Sequence, residues 1–385
     1  MADEASQLPW TAQQWNDLRA AALDSARRSR VASTFLPLVG PLSSDQSTVP
    51  SDWMTTTSLE SPQLGEARSR LQVRSGKTLH LVTISCNVYL RGAEVAESGL
   101  DSAKSMVRRA AEVLGRLEDA IVFHGRPEDG ENPTMDDGRL VVQPPIYTIT
   151  GGRDLTGLLQ APDTYFASRA KPGAQGNTPE LQDLKRQLDD LAEQDKKIED
   201  LRKAQGNVAQ AESARKTAEN KVKKAEDQLA RDIMSVRVGS GPANRLQIVE
   251  AVVEAIQKLE EKGHFGPFAV VLGHELFSEA TTPTSSLVLP SDRLAEFLDG
   301  RRVMRSGTLP SKEGVVVALG GESIELVLAT DIDVVFLQVT LEPRYVLRIF
   351  ERFVLRIKEL DAVCRVKVGD GTLLTPGFVP RRAAS

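Results

Sequence analysis

The chain has 385 residues, 41% of them apolar and 26% charged, with a formal net charge of −5. That length affords a large core or roughly two or three average domains. The small negative balance argues against a general nucleic-acid binder, which needs a basic excess, and no apolar run approaches the ~20 residues that span a bilayer.

Taken in order, the start MADEASQLPW has neither the basic nor the apolar region of a secretory signal. Residues 10–30 carry Trp15, Leu18, Ala22, Leu23 and Ala26 at helical spacing, with Thr11 and Gln14 as a capping box. Arg27, Arg28 and Arg30 sit where they complement the helix dipole. Residues 43–78 are rich in Ser, Thr and Pro and read by composition as a loop, followed by a strand over Leu79–Leu90. The clearest helix spans 100–125, where Leu100, Ala103, Val107, Ala110, Ala111, Leu114, Leu117 and Ile121 recur at three and four. GRLVVQPPIYTITGG, within 127–152, reads as two short strands joined at Pro144-Pro145.

KPGAQGN (171–177) is a flexible joint. Beyond it Leu181, Leu184, Leu188, Leu191, Ile198 and Leu201 stand in heptad spacing, Gly206-Asn207 breaks the run, and Ala211, Ala214, Ala218, Val222, Ala225, Leu229 and Ile233 resume it. Small alanines opposite leucines suit an antiparallel helical hairpin, each arm about 26 residues or about 40 Å long. Its charge is balanced, 13 acids against 12 bases between 178 and 236, so it is open to two readings, a solvated hairpin or a docking surface. An amphipathic helix over Leu246–Leu259 follows. Then come short β-branched and aromatic runs at Phe268–Leu272, Val315–Leu319, Ile324–Leu328, Val334–Val339 and Val346–Val354, with a hairpin turn read at Gly320-Gly321. The class is α+β.

Candidate chemistry is sparse. Ser75-Gly76-Lys77-Thr78 lacks the upstream glycine of a phosphate loop, Leu71 standing in its place, and Gly239-Ser240-Gly241 lacks the third glycine of a dinucleotide fingerprint. His80, His124, His264 and His274 have no partner at metal-ligand spacing. Asp331 and Asp333 are two apart in a strand, so they share a face, either solvated or available to a cation. Cys86 and Cys364 stand among apolar residues and read as buried thiols or a disulfide, the thiols fitting a reducing cytoplasm. No nucleophile elbow is present, and neither an enzyme, a metal site nor a cofactor is expected.

The ordered words of the chain carry more than its composition. Gly266-Pro267-Phe268 with VVL behind it, LAEFLDGRRVMRS (294–306), GVVVALGGESIELVLATDIDV (314–334) and FERFVLRIKELDAVCRV (350–366) resemble the encapsulins, bacterial shell proteins with the HK97-like fold of tailed-phage capsids. LPWTAQQWNDLRAAALDSARRSRVASTFLPLVGPL (8–42) looks like that family's amino-terminal helix, and RAAEVLGRLEDAIVFHGR (109–126) like its spine helix.

The resemblance implies a P-domain start at 1–42, an extension loop at 43–78, a P-domain strand and spine helix at 79–126, and an A-domain start at 127–170. The helical hairpin at 171–238 is then an insertion, expected on the outer surface. After it come the A-domain with its pore loop at 239–312 and closing strands and tail at 313–385. It implies a homo-oligomeric icosahedral shell of about sixty copies or a larger multiple, enclosing a cargo enzyme of the peroxidase or ferritin-like class through a targeting peptide. The peptide groove implied is Leu18, Leu23 and Val31 with Ile332 and Val334. The pore loop implied is Thr281, Thr282, Pro283, Thr284, Ser285, Ser286, Leu287, Val288 and Leu289, a neutral hydroxyl-lined opening. No membrane and no nucleic acid enter this picture, and no motif decides whether a flavin is bound, as in some relatives. The rival readings are a phage-type major capsid protein and a coiled-coil adaptor or bacteriocin-like protein.

Overall fold

The computed structural model describes residues 8–43, 45–59, 68–74, 78–127, 147–153, 155–164, 216, 234–238, 247–283 and 289–368. The helical hairpin expected at 178–236 and the phosphate-loop candidate at 75–77 lie almost wholly outside them, as do the paired prolines at 144–145.

Helix α1 (Ala12–Ser29) begins at the expected capping box. The Gln14 amide donates to Thr11 Oγ1 at 3.2 Å, and the Thr11 amide donates to Gln14 Oε1 at 2.8 Å, so two otherwise orphaned donors are satisfied. A short α2 (Ala32–Phe35) and a two-residue strand β1 (Leu38–Val39) follow. The serine-rich stretch is more regular than its composition suggests. Strands β2 (Thr48–Pro50) and β5 (Thr78–His80) pair antiparallel, and β3 (Trp53–Leu59) with β4 (Arg68–Arg74) forms an antiparallel ribbon in register from Trp53↔Arg74 to Leu59↔Arg68. The strand expected at 79–90 divides at Leu81, whose amide donates to the Ser47 carbonyl, leaving β6 (Val82–Arg91) in a different sheet from β5.

A one-turn α3 (Gly92–Val95) leads to α4 (Asp101–His124). On this helix Leu114, Leu117 and Ile121 are wholly buried, each contributing about 2 kcal/mol of apolar transfer. It lies between α1 and the sheet that contains β6. Gly115 sits where α1 crosses: a Cβ there would lie 2.3 Å from Ser29 Oγ and 3.2 Å from the Ala26 carbonyl oxygen, so only glycine lets the helices approach this closely.

Two five-stranded sheets organise the rest. The first runs β1–β12–β13–β6–β7, with β7 at Tyr147–Gly151, β12 at Ile324–Val339 and β13 at Arg344–Ile357. The second runs β10–β9–β11–β14–β8, with β8 at Ser235–Val238, β9 at Phe268–Leu272, β10 at Met304–Arg305, β11 at Glu313–Ala318 and β14 at Val363–Val368. Helix α5 (Gln247–Glu261) packs on β8, β11 and β14 through Ile248, Val252, Ala255 and Leu259, and α6 (His274–Thr281) and α7 (Pro290–Ala295) flank it.

Two readings of turns and strands are corrected here. Ile324–Leu328 and Val334–Val339 are one strand, β12, continuous through register shifts near Thr330. Gly320-Gly321 is not a hairpin. Gly321 does take the positive φ of 72° that a glycine turn supplies, but the 3₁₀ turn Gly320–Glu322 carries the chain from β11 in the second sheet to β12 in the first. The cysteines are buried free thiols. Among the described residues no helix is long and apolar enough to cross a membrane.

Candidate functional site

Helix α1 ends at Arg30, whose backbone turns extended while its amide still donates to the Ala26 carbonyl. That turn swings the side chain inward instead of leaving it at the helix terminus, where sequence alone placed it. Nη1 donates to Glu118 Oε2 on α4 at 3.1 Å and to Glu351 Oε1 on β13 at 3.0 Å, and Nη2 donates to Asp331 Oδ1 on β12 at 2.9 Å. Glu118 and Glu351 are wholly buried. One guanidinium therefore ties the first helix, the spine helix and both long strands together.

Three carboxylates facing one cation leave excess negative charge in a dry place. Burial is the largest influence on Glu118 and Glu351 and raises both carboxyls above their ordinary range, while Arg30 pulls Glu118 back. Burial opposes the charge on Arg30, but the three acids outweigh it and raise its pKa further. Among the described residues Oε1 of Glu118 and Oε2 of Glu351 accept no hydrogen bond, and the two carboxyls act on one another. The arrangement fits one proton held between the two glutamates. Next to them Asp119 accepts the amides of Val31 at 2.9 Å and Ala32 at 2.7 Å, capping α2 from another helix. Burial and the charge of Glu118 push its carboxyl up to about 8 against those bonds.

Outward from this cluster, Arg19 Nε lies 3.0 Å from Asp333 Oδ1, and its guanidinium sits 5.8 Å from the Trp15 ring centre. Trp15 meets Trp10 edge to face at 5.0 Å, and Trp10 Nε1 donates to the Val95 carbonyl. Asp331 and Asp333 are thus each held by an arginine of the first helix segment. Among the described residues no group of three His, Cys, Asp or Glu side chains is arranged to hold a metal.

Of the residues named for the peptide groove, the structure brings both halves, α1 and β12, side by side. Leu18 and Val334 are enclosed completely and Ile332 nearly so. Leu23 and Val31 are half-buried. Thr281 closes α6 with Oγ1 donating to the Phe277 carbonyl at 2.8 Å, and Thr282 Oγ1 donates to the Ser278 carbonyl at 2.6 Å. Those hydroxyl protons are committed to the helix they end. Pro283 is exposed and Leu289 leads into α7, which has Pro290 in its first turn; 284–288 lie outside the described residues.

The arrangement is structural: paired charges that bind elements together. A family profile described as "Encapsulating protein for peroxidase" matches residues 4–132 and 184–354, most of the chain. The chain belongs to the encapsulin family. Its similarity to the type 1 encapsulin shell protein EncA of Myxococcus xanthus (strain DK1622) is 33% identity over 123 residues, 32% of this chain and 42% of that protein, so the aligned part spans less than half of the relative. In solved structures, a chain from Mycobacterium phage Cain has a TM-score of 0.50 at 13% identity, covering 92% of this chain and 91% of that one. One from Mycobacterium phage Adephagia also has 0.50, at 12% identity with 90% of each chain covered. The fold is the HK97-like capsid fold, and the encapsulin is a structural protein, not an enzyme.

The buried cluster was missed in the sequence, although it left a signal. In RAAEVLGRLEDAIVFH, Glu118 falls four residues after Leu114 and three before Ile121, on the buried stripe itself. A charge on the core face of a helix asks for a partner.

Proposed function

We propose that the chain is the subunit of a closed icosahedral protein compartment, about sixty copies or a larger multiple, which holds a cargo enzyme inside and admits small molecules through pores. The observation that carries this reading is the family match across both halves of the chain, which contains each element that builds the α1–β12 face. On this reading the first sheet with α1 and α4 is the P-domain, the second sheet with α5 to α7 is the A-domain, and the β3–β4 ribbon is the extension loop that reaches a neighbour. A two-stranded ribbon has no core of its own and is marginal alone, which suits an arm ordered by assembly.

The cargo peptide lies against Leu23 and Val31, with Leu18, Ile332 and Val334 beneath, and the segment 281–289 borders a pore. The guest is a peroxidase or a ferritin-like enzyme, and the compartment stands in the cytoplasm. The test is co-sedimentation. Particles purified from the native host are expected to carry such an enzyme, identified by mass spectrometry, and Leu23→Asp or Val31→Asp particles are expected to lose it while still closing. Retention of the guest by both variants would contradict this placement of the groove. The phage fold alone does not separate a compartment from a capsid; the family match favours the compartment.

A further inference from the structure

Among the described residues the chain passes between the two sheets at two places, Leu319–Ser323 from β11 to β12 and Lys358–Ala362 from β13 to β14. These crossovers lie against each other. The Lys358 amide donates to the Ser323 carbonyl at 2.8 Å, and Ser323 Oγ donates to Glu359 Oε2 at 2.6 Å. A change at one of these segments therefore bears directly on the other.

His264 reaches this pair from the second sheet's helix layer. It follows the end of α5, its amide donates to the Leu259 carbonyl, and its ring is almost wholly enclosed. Nε2 stands 3.0 Å from Asp361 Oδ1 and Nδ1 stands 3.4 Å from Glu359 Oε2. A neutral imidazole has one N–H and serves one carboxylate; the imidazolium has two and serves both. The site is built for the cation.

We propose that His264 is a pH-sensitive latch between the two sheets: as imidazolium it fastens the α5 layer to the β13–β14 crossover, and on losing its proton it releases the crossovers to pivot. The charged groups facing it are few. Asp361 and Glu359 come from the crossover, Lys262 from the end of α5 acts on Asp361, and Lys358 is turned toward Glu322 and Glu325. Burial alone would lower the imidazole, but the hydrogen bond and charge of Asp361 and the charge of Glu359 outweigh it and hold the ring above its ordinary 6.5. The stabilisation is therefore complete below 6.5 and is lost as pH rises through the elevated value.

The experiment uses the full chain in whatever assembly it forms. Backbone hydrogen exchange, corrected for its intrinsic pH dependence, is followed at 319–323 and 358–362 from slightly acidic to alkaline pH. Exchange at the imidazole C2 position, read by mass spectrometry, gives the titration of His264 on its own peptide. The wild type is expected to lose protection in both crossovers several-fold over that range, in step with C2 exchange. His264→Gln is expected to show low protection with no such step, and Asp361→Asn to move the His264 midpoint down. Identical pH profiles for wild type and His264→Gln would overturn the latch. Should His264→Gln fail to fold, the wild-type C2 titration decides: a midpoint at or below 6.5, or one out of step with crossover protection, overturns it.

Discussion

A guanidinium that touches carboxylates on three different elements cannot be truncated without leaving charge behind. Arg30→Met should cost about 3–5 kcal/mol, because Glu118 and Glu351 then lose the cation that faces them both in a dry interior, and the loss would be read as a lower denaturation midpoint or as missing soluble protein. Glu351→Gln makes a different prediction. A carboxyl raised by burial binds its proton more tightly folded than unfolded, so its stabilising contribution fades as pH rises above its ordinary 4.5. The glutamine variant lacks that loss, and its stability should fall less than the wild type's as pH rises above 4.5; parallel slopes would remove the shared proton from the account. The thiols test burial directly. Burial pushes Cys86 up to about 11 and Cys364 to about 12, so both should resist a thiol reagent at pH near 8 until the chain is unfolded. Rapid labelling of native protein would contradict their enclosure.

At the scale of elements, the periodic parts of the chain were legible and the contextual parts were not. Helices α1, α4 and α5 follow the three-and-four spacing of their apolar residues, and Thr11 with Gln14 marks the start of α1 within one residue. Thr11→Ala should cost about 1 kcal/mol, measurable by denaturation. Gly115→Ala would gain helix propensity but force its methyl into Ser29 Oγ at 2.3 Å, so a net loss of about 1–3 kcal/mol is expected; a stabilised variant would mean that α1 and α4 separate freely. The polar break Thr330–Asp333 split β12 in the sequence because its partners, Arg19 and Arg30, lie three hundred residues away in the chain. Gly320-Gly321 was legible as a turn but not as a crossover. A turn signal is local, whereas the partner of the next strand, β13, is chosen by the whole sheet.

At the scale of the molecule, the fold was legible from the order of its sequence words more than from composition, which gave only an α+β protein without chemistry. Of the residues named for the groove, Leu18, Ile332 and Val334 are buried and Leu23 and Val31 half-buried, while the charges that tie the end of α1 to β12 were read separately, as dipole complement and as an acidic pair either solvated or available to a cation. What such a subunit does depends on its copies, so the most direct measurement is the size of the purified recombinant protein by sedimentation velocity with negative-stain imaging. The account predicts closed particles of uniform diameter and no free monomer peak. A stable monomer or small oligomer at the same concentration would contradict it.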